Sequence, residues 1–373
     1  MKHVLHICSG FSKSRLYSEL VFELANCGIK QTIYIPIRSE IEKEKNNLSF
    51  LDNVRIIYSP ILSFKHRIFY FLKVAKVCSD IEKHVDLNTI DFIHAHFLFS
   101  DGGVAYNLKL KFNIPYIVAI RNTDINLFFK YLYYLRSSGI QIIRSSISLI
   151  YITPAYQDLL KKKYLTKYLT KNTINSQVIP NGLSSIWFDG TSPFYVKNLD
   201  PLKLLYVGDF STNKNVIFLL NVIKKFSHKK QVELTLAGGG GEDHGRILKL
   251  LNRKGFNFAS YIGRVEGIPA MKQLYSQHHI FIMISKLETF GLVYLEAMSQ
   301  GLPVIHTARQ GIDGYFKNST FAIPVNPNSE SEIFIAIEKI INNYEEASRD
   351  ARKASKSFLW SNIANMYLKI YNL

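Results

Sequence analysis

Apolar runs of four or five residues recur along the chain, separated by stretches whose apolar positions repeat at helical spacing. Residues 4–7 read as a buried strand and Ser9-Gly10-Phe11 as a turn. Residues 16–24 read as a helix with Leu16, Leu20, Val21 and Leu24 on one face. The same unit returns, with further strands rich in branched residues expected at 32–35, 54–58, 91–95 and 116–120. Strands alternating with helices predict a parallel, doubly wound α/β sheet. The series ends at the sequence QVIPNG of 177–182, a loop is expected over 193–201, and a second series opens at 204–207. It continues through 234–237, 260–262, 280–284 and 304–307, which divides the chain into domains of 1–185 and 186–357. No internal repeat of fixed period and no low-complexity segment interrupts this order.

The chemistry concentrates in residues 280–307, IFIMISKLETFGLVYLEAMSQGLPVIHT. An apolar strand ends near Ile284, the polar loop Ser285-Lys286-Leu287-Glu288-Thr289 follows, and a helix is expected over about 290–300. Gly301 is placed to end that helix, and Pro303 blocks its continuation. The backbone N–H groups of Thr289, Phe290, Gly291 and Leu292 would then meet an anionic or hydroxyl-rich ligand at the positive end of the helix. Glu288 would hold sugar hydroxyls, and Glu296, two turns in, the two hydroxyls of a ribose.

Glu288 and Glu296, with Thr289-Phe290-Gly291 and Gly301-Leu302-Pro303-Val304, resemble the E-x7-E motif of retaining GT-B glycosyltransferases of family 4. The resemblance implies two Rossmann-like domains facing across a cleft, with a C-terminal helix of about 358–373 crossing back to the first domain. It implies transfer of a sugar from a nucleotide-sugar donor, UDP- or GDP-linked, with retained configuration and without a metal. The stretch 206–215 resembles the opening of the family's donor domain, with Gly208 at the strand end and Lys214 in the place of the lysine that neutralises the departing diphosphate. Asp209 stands where the family has an arginine, so Lys286, Arg264 or Arg309 would replace that cation unless the donor is held differently. Gly238 belongs to a stretch resembling the family's Gly-rich turn, and Arg264 to the segment near the base. In the first domain, Gly10 lies in the place of the first phosphate-facing loop. His96 and Arg121 resemble central strand ends, Arg121 standing where many members carry a histidine that touches the donor sugar. Arg121 would bind an anionic group of donor or acceptor, or pair with Asp124; His96 would line the cleft or satisfy buried backbone.

Composition narrows the partners. Of the net charge of +17, the larger share lies in residues 1–185, with 24 Lys and Arg against 13 Asp and Glu. Basic and aromatic residues mix in 63–73 and 128–136, and Lys161-Lys162-Lys163 adds a cluster, a pattern suited to an anionic membrane surface and a lipid-linked saccharide acceptor. Nucleic acid is not expected as a partner. The chain offers no Asp-x-Asp pair and no clustered histidine ligands. Three cysteines without paired spacing fit reduced thiols, and the start shows no secretory signal, so a cytoplasmic protein, peripheral at the inner membrane face, is expected. Arg136 and Arg144 interrupt the apolar region 132–152, which argues against a membrane span. Two rivals stay open: a non-catalytic polyanion-binding protein on the same scaffold, and a nucleotide-sugar epimerase or phosphorylase.

Overall fold

The computed structural model describes residues 2–43, 45–166, 175–190 and 198–371. They fall into two compact units, residues 1–152, 156–182 and 360–373 in one, 153–155 and 183–359 in the other. The expected loop at 193–201 lies largely outside the described residues.

The first unit carries seven parallel strands: β1 (His3–Ile7), β2 (Lys30–Pro36), β3 (Val54–Ser59), β4 (Phe92–Ala95), β5 (Tyr116–Ile120), β6 (Ser148–Tyr151) and β7 (Ser176–Val178). Their order is β3-β2-β1-β4-β5-β6-β7. Both faces are covered: Val118 and Ile120 of β5 enter one core cluster, Ile117 and Ala119 the other, which is why this strand is apolar throughout rather than alternating. The helix Trp360–Tyr371 joins this unit and shares the second cluster with Val4, Leu20 and Leu24. Gly182 admits it, because a Cβ there would lie 2.2 Å from the Trp360 ring. The region 132–152, read from the sequence as one apolar block, is divided into the helix Arg136–Ser145 and strand β6.

The second unit carries β8 (Leu202–Gly208), β9 (Val232–Gly238), β10 (Ala259–Tyr261), β11 (Ile280–Met283), β12 (Val304–Thr307) and β13 (Ala322–Val325), ordered β10-β9-β8-β11-β12-β13 and parallel throughout. In each sheet the strand order reverses once, between β1 and β4 and between β8 and β11. Open parallel sheets bind ligands beyond the strand ends at such a reversal. Among the described residues no helix is long and apolar enough to cross a membrane.

Candidate active site

At the second reversal, the loop after β8 and the loop after β11 are fastened together by Asn213. Its side chain donates to the Leu287 carbonyl at 2.8 Å and accepts from the Leu287 N–H at 2.9 Å, while its carbonyl accepts the Lys286 N–H. That clamp brings Lys214 and Glu288 together, Nζ to Oε2 at 2.8 Å. Both side chains are mostly shielded, 19% and 11% exposed, so the pair sits in a weaker solvent screen than a surface ion pair. Glu288 is fixed further by Ser285 Oγ at 3.4 Å and by the Thr289 N–H at 3.0 Å. The loop after β12 closes on it: Gln310 Oε1 accepts the Glu288 N–H, and the Gly311 N–H donates to the Glu288 carbonyl. Nothing local in the sequence announced Asn213 or Gln310; their partners lie 74 and 22 residues away.

The helix after this loop is shorter than expected, Leu292–Ser299. Gly291, at φ +77°, turns the chain into it, and the Phe290 side chain is buried before it begins. Three of the four expected N–H positions therefore precede the helix, and that of Thr289 faces the Glu288 carboxylate. Glu296 projects from the second turn and accepts a hydrogen bond from the buried Tyr275 hydroxyl at 3.2 Å. Burial pushes its carboxyl up to about 7, with the Tyr275 bond acting the other way.

Gly238 and Gly208 bind strand ends to each other. A Cβ on Gly238 would stand 2.0 Å from the Gly208 carbonyl oxygen, so backbone approach by itself requires a glycine there. Burial alone would raise the Asp209 carboxyl, but hydrogen bonds from Ser211 and the Lys214 charge hold it below its usual range. It accepts the Ser211 N–H at 2.9 Å and caps its own turn. Arg264 is exposed, as is Lys286. Arg309, also exposed, takes φ +62°, and Asp313 accepts its N–H.

The first reversal is built differently. His6 of β1 pairs in register with His94 of β4, and His96 lies two residues on, so three imidazoles share one face. The chain thus does contain a histidine cluster, contrary to the sequence reading, because residues 90 apart meet across adjacent strands. Rings of His94 and His96 stack with centroids 4.0 Å apart, His6 Nδ1 lies 3.0 Å from His96 Nε2, and Tyr371 Oη bonds His94 Nδ1 at 2.7 Å. One ring nitrogen from each lies within 4.8 Å of the others. Arg121 lies against that group, its Nε donating to the His96 carbonyl. Burial holds all three well below the usual histidine range.

Arg121 does not form the expected side-chain pair with Asp124. Its Nε donates to the His96 carbonyl at 3.3 Å, an Nη donates to Asn181 at 3.1 Å, and the guanidinium lies 5.6 Å from the Tyr17 ring centre. Asp124 is buried and accepts the backbone N–H groups of Arg121, Leu98 and Phe99. It is thus an internal cap, and burial raises it to about 6. Gly10 leaves room for the Phe97 ring, which a Cβ would approach to 2.9 Å. Asp101, which sequence reasoning passed over, receives the Ser9 N–H and is raised to about 7 by burial.

These features can be set beside known proteins. Residues 191–358 match the family described as Glycosyl transferases group 1. An uncharacterized glycosyltransferase of Methanocaldococcus jannaschii is 26% identical over 335 residues, covering 86% of this chain and 85% of the relative. The capsular polysaccharide biosynthesis glycosyltransferase CapH of Staphylococcus aureus is 24% identical, with 83% and 81% covered. Among solved structures, sucrose-phosphate synthase of Thermosynechococcus elongatus superposes with a TM-score of 0.77 at 18% identity, covering 100% and 98% of the two chains. Anabaena HepE, solved in complex with UDP, gives 0.73 at 17% identity with both chains fully covered. The fold is accordingly GT-B, and the likeness to the group 1 glycosyltransferases lies in residues 191–358 of the second unit.

Proposed function

We propose that the protein is a retaining, family 4-like glycosyltransferase that moves a sugar from a UDP- or GDP-linked donor to a saccharide or lipid-linked saccharide. The observation that carries this reading is the shielded Lys214–Glu288 pair at the strand reversal of the second unit. Glu288 orients the donor sugar. Lys214 is assigned to the diphosphate, where a cation in a poorly solvated site stabilises the negative charge that grows as the glycosidic C–O bond breaks. The new C–O bond forms from the acceptor hydroxyl on the same face, and its proton passes to the leaving phosphate oxygen. Glu296 grips the ribose, and the helix beginning at Leu292 adds its positive end. No divalent ion is needed, because the lysine and the helix dipole supply the positive charge.

The arginine expected at position 209 is absent, and Arg309 is the best-supported substitute. A non-glycine residue in the left-handed region is costly and clusters at functional sites, and the next two residues are fastened to Glu288. Arg121 is assigned to an anionic group of donor or acceptor. The relative CapH supports a role in capsule or similar polysaccharide synthesis, and the UDP complex of HepE supports a uridine donor. The basic first unit supports work at the inner face of a membrane.

Calorimetric titration with UDP, GDP and ADP in EDTA, comparing wild type with Glu296→Ala, tests the donor site. Tight binding of one nucleotide that weakens in the variant supports the reading and identifies the base. Absence of binding to all three would leave the polyanion-binding alternative, which the net charge of +17 favours.

A further inference from the structure

The first unit leaves an unusual surface. Nine of the nineteen large apolar side chains exposed among the described residues fall in two short segments, 64–72 and 127–134. Phe64 is 71% exposed, Phe71 61% and Tyr133 64%. Ring contacts join the segments: Tyr70 touches both Phe71 and Phe128, and Phe128 stacks on Phe99 at 4.5 Å. Phe99 touches Phe129, and Phe129 stacks on Tyr164, which carries the array on to the lysine cluster at 161–163. A scattered apolar residue on a surface needs no explanation, but a connected patch does.

Beside this array lies a cavity of about 400 Å³ whose lining includes Arg136, Lys162, Lys163, Tyr164 and Thr166. The Arg136 guanidinium packs over Tyr133 at 4.4 Å and Tyr164 at 5.4 Å, and its Nε donates to the Phe129 carbonyl. Its position is thus set by aromatic stacking and one backbone bond, leaving its terminal nitrogens available to an anion. Among the described residues no carboxylate forms an ion pair with Arg136, Lys162 or Lys163. The surrounding chain is depleted of acid: residues 64–79 and 125–157 contain no Asp or Glu, yet carry Lys65, Arg67, Lys73, Lys76, Lys130, Arg136 and Arg144.

We infer that this face rests on an anionic bilayer, with the cavity lined by Arg136, Lys162 and Lys163 taking a lipid phosphate. Exposed Tyr and Phe with interleaved Lys and Arg match the boundary between head groups and acyl chains, where aromatic bodies bury and cations meet phosphate. An acidic protein partner would match the charge but would leave the aromatic side chains without a reason to be so many and so exposed. The inference deepens the reading of a lipid-linked acceptor and rests on it for its purpose, although the surface itself is read from the first unit alone.

The test is co-sedimentation of the full chain with vesicles of phosphatidylcholine alone and of phosphatidylcholine enriched in phosphatidylglycerol. The expected result is binding to the anionic vesicles that falls steeply with salt, with little on the neutral ones. Lys162→Glu/Lys163→Glu, at exposed positions, should weaken it by at least about tenfold. Tyr131→Ser/Tyr133→Ser/Tyr134→Ser should reduce the fraction retained at high salt. A parallel calorimetric titration with inorganic phosphate separates the sources: saturation by free phosphate in the absence of vesicles would reassign the cavity to a soluble anion. Equal binding to both vesicle types, or variants that bind as wild type, would overturn the proposal. Nucleotide binding reports folding of each variant and fails independently: its loss in wild type sinks the transferase reading and leaves the vesicle result standing.

Discussion

The two strand reversals have the same topology and opposite chemistry. Between β8 and β11 the loops present an ion pair, a half-buried carboxylate and a helix start, all positioned by polar bonds that leave charge available. Between β1 and β4 the corresponding place is occupied by three neutral imidazoles, the rings of Tyr17 and Tyr371, and an arginine engaged by protein groups. A parallel sheet thus offers a place for a ligand without deciding that one binds. The side chains on the flanking loops decide it, and here the second unit invests in electrostatics and the first in packing.

The sharpest way to break that contrast is Lys214→Ala. If the charge at the second reversal stabilises the departing diphosphate, kcat should fall by about 10²–10³-fold. The melting temperature should fall as well, because the shielded Glu288 carboxylate loses its counter-charge, so kcat is compared at a temperature where the variant is folded. A variant that keeps most of its kcat would remove the lysine from the chemistry.

The matching change in the first unit is His6→Leu, which strands His96 Nε2 without its partner. Leaving a buried polar atom unsatisfied costs about 1–3 kcal/mol, measurable by denaturant unfolding, while kcat should stay within about twofold. A large loss of activity with unchanged stability would mean that the histidine array takes part in transfer, and that the two reversals differ less than their chemistry suggests.

How much of this was legible depends on how far apart the interacting residues are. The strands read as apolar runs appear because both faces of each sheet are covered, which gives a local signal. Three others escaped it: β6 was hidden in a longer apolar block, β7 is only three residues long, and β13 contains Pro324, which an edge strand tolerates but which reads as a breaker. The Glu288 and Glu296 spacing was visible as a motif. The clamp by Asn213 and the meeting of His6 with His94 were not, since each depends on which strands become neighbours.

Glu296 gives a finer test through pH. Its carboxyl is raised to about 7, so the folded protein holds a proton that an exposed carboxylate would have released, and this contribution to stability is lost as pH rises towards 7. Ribose hydroxyls donate best to the ionised form. Nucleotide affinity should therefore rise with pH and level off above about 7. Glu296→Gln should bind about tenfold more weakly at high pH and show a flat profile. Tyr275→Phe, by removing the hydrogen bond that favours the charged form, should move the midpoint upward. A pH-independent wild type would show that Glu296 does not hold the nucleotide.

The smallest expected effect belongs to Arg309, and it asks whether the second unit has rebuilt its missing cation. The side chain is exposed, so its interaction with a diphosphate is screened, and Arg309→Ala should raise the nucleotide Kd by about fivefold, near 1 kcal/mol. The left-handed backbone separates charge from conformation. Arg309→Gly relieves the strain and removes the charge, Arg309→Ala removes the charge alone, and Arg309→Lys keeps it. If the cation matters, the lysine variant binds close to wild type and the other two weaken together, with a salt dependence shallower than that of wild type. If the backbone matters instead, the glycine variant separates from alanine, and the electrostatic contrast between the two reversals then rests on Lys214 and the helix end.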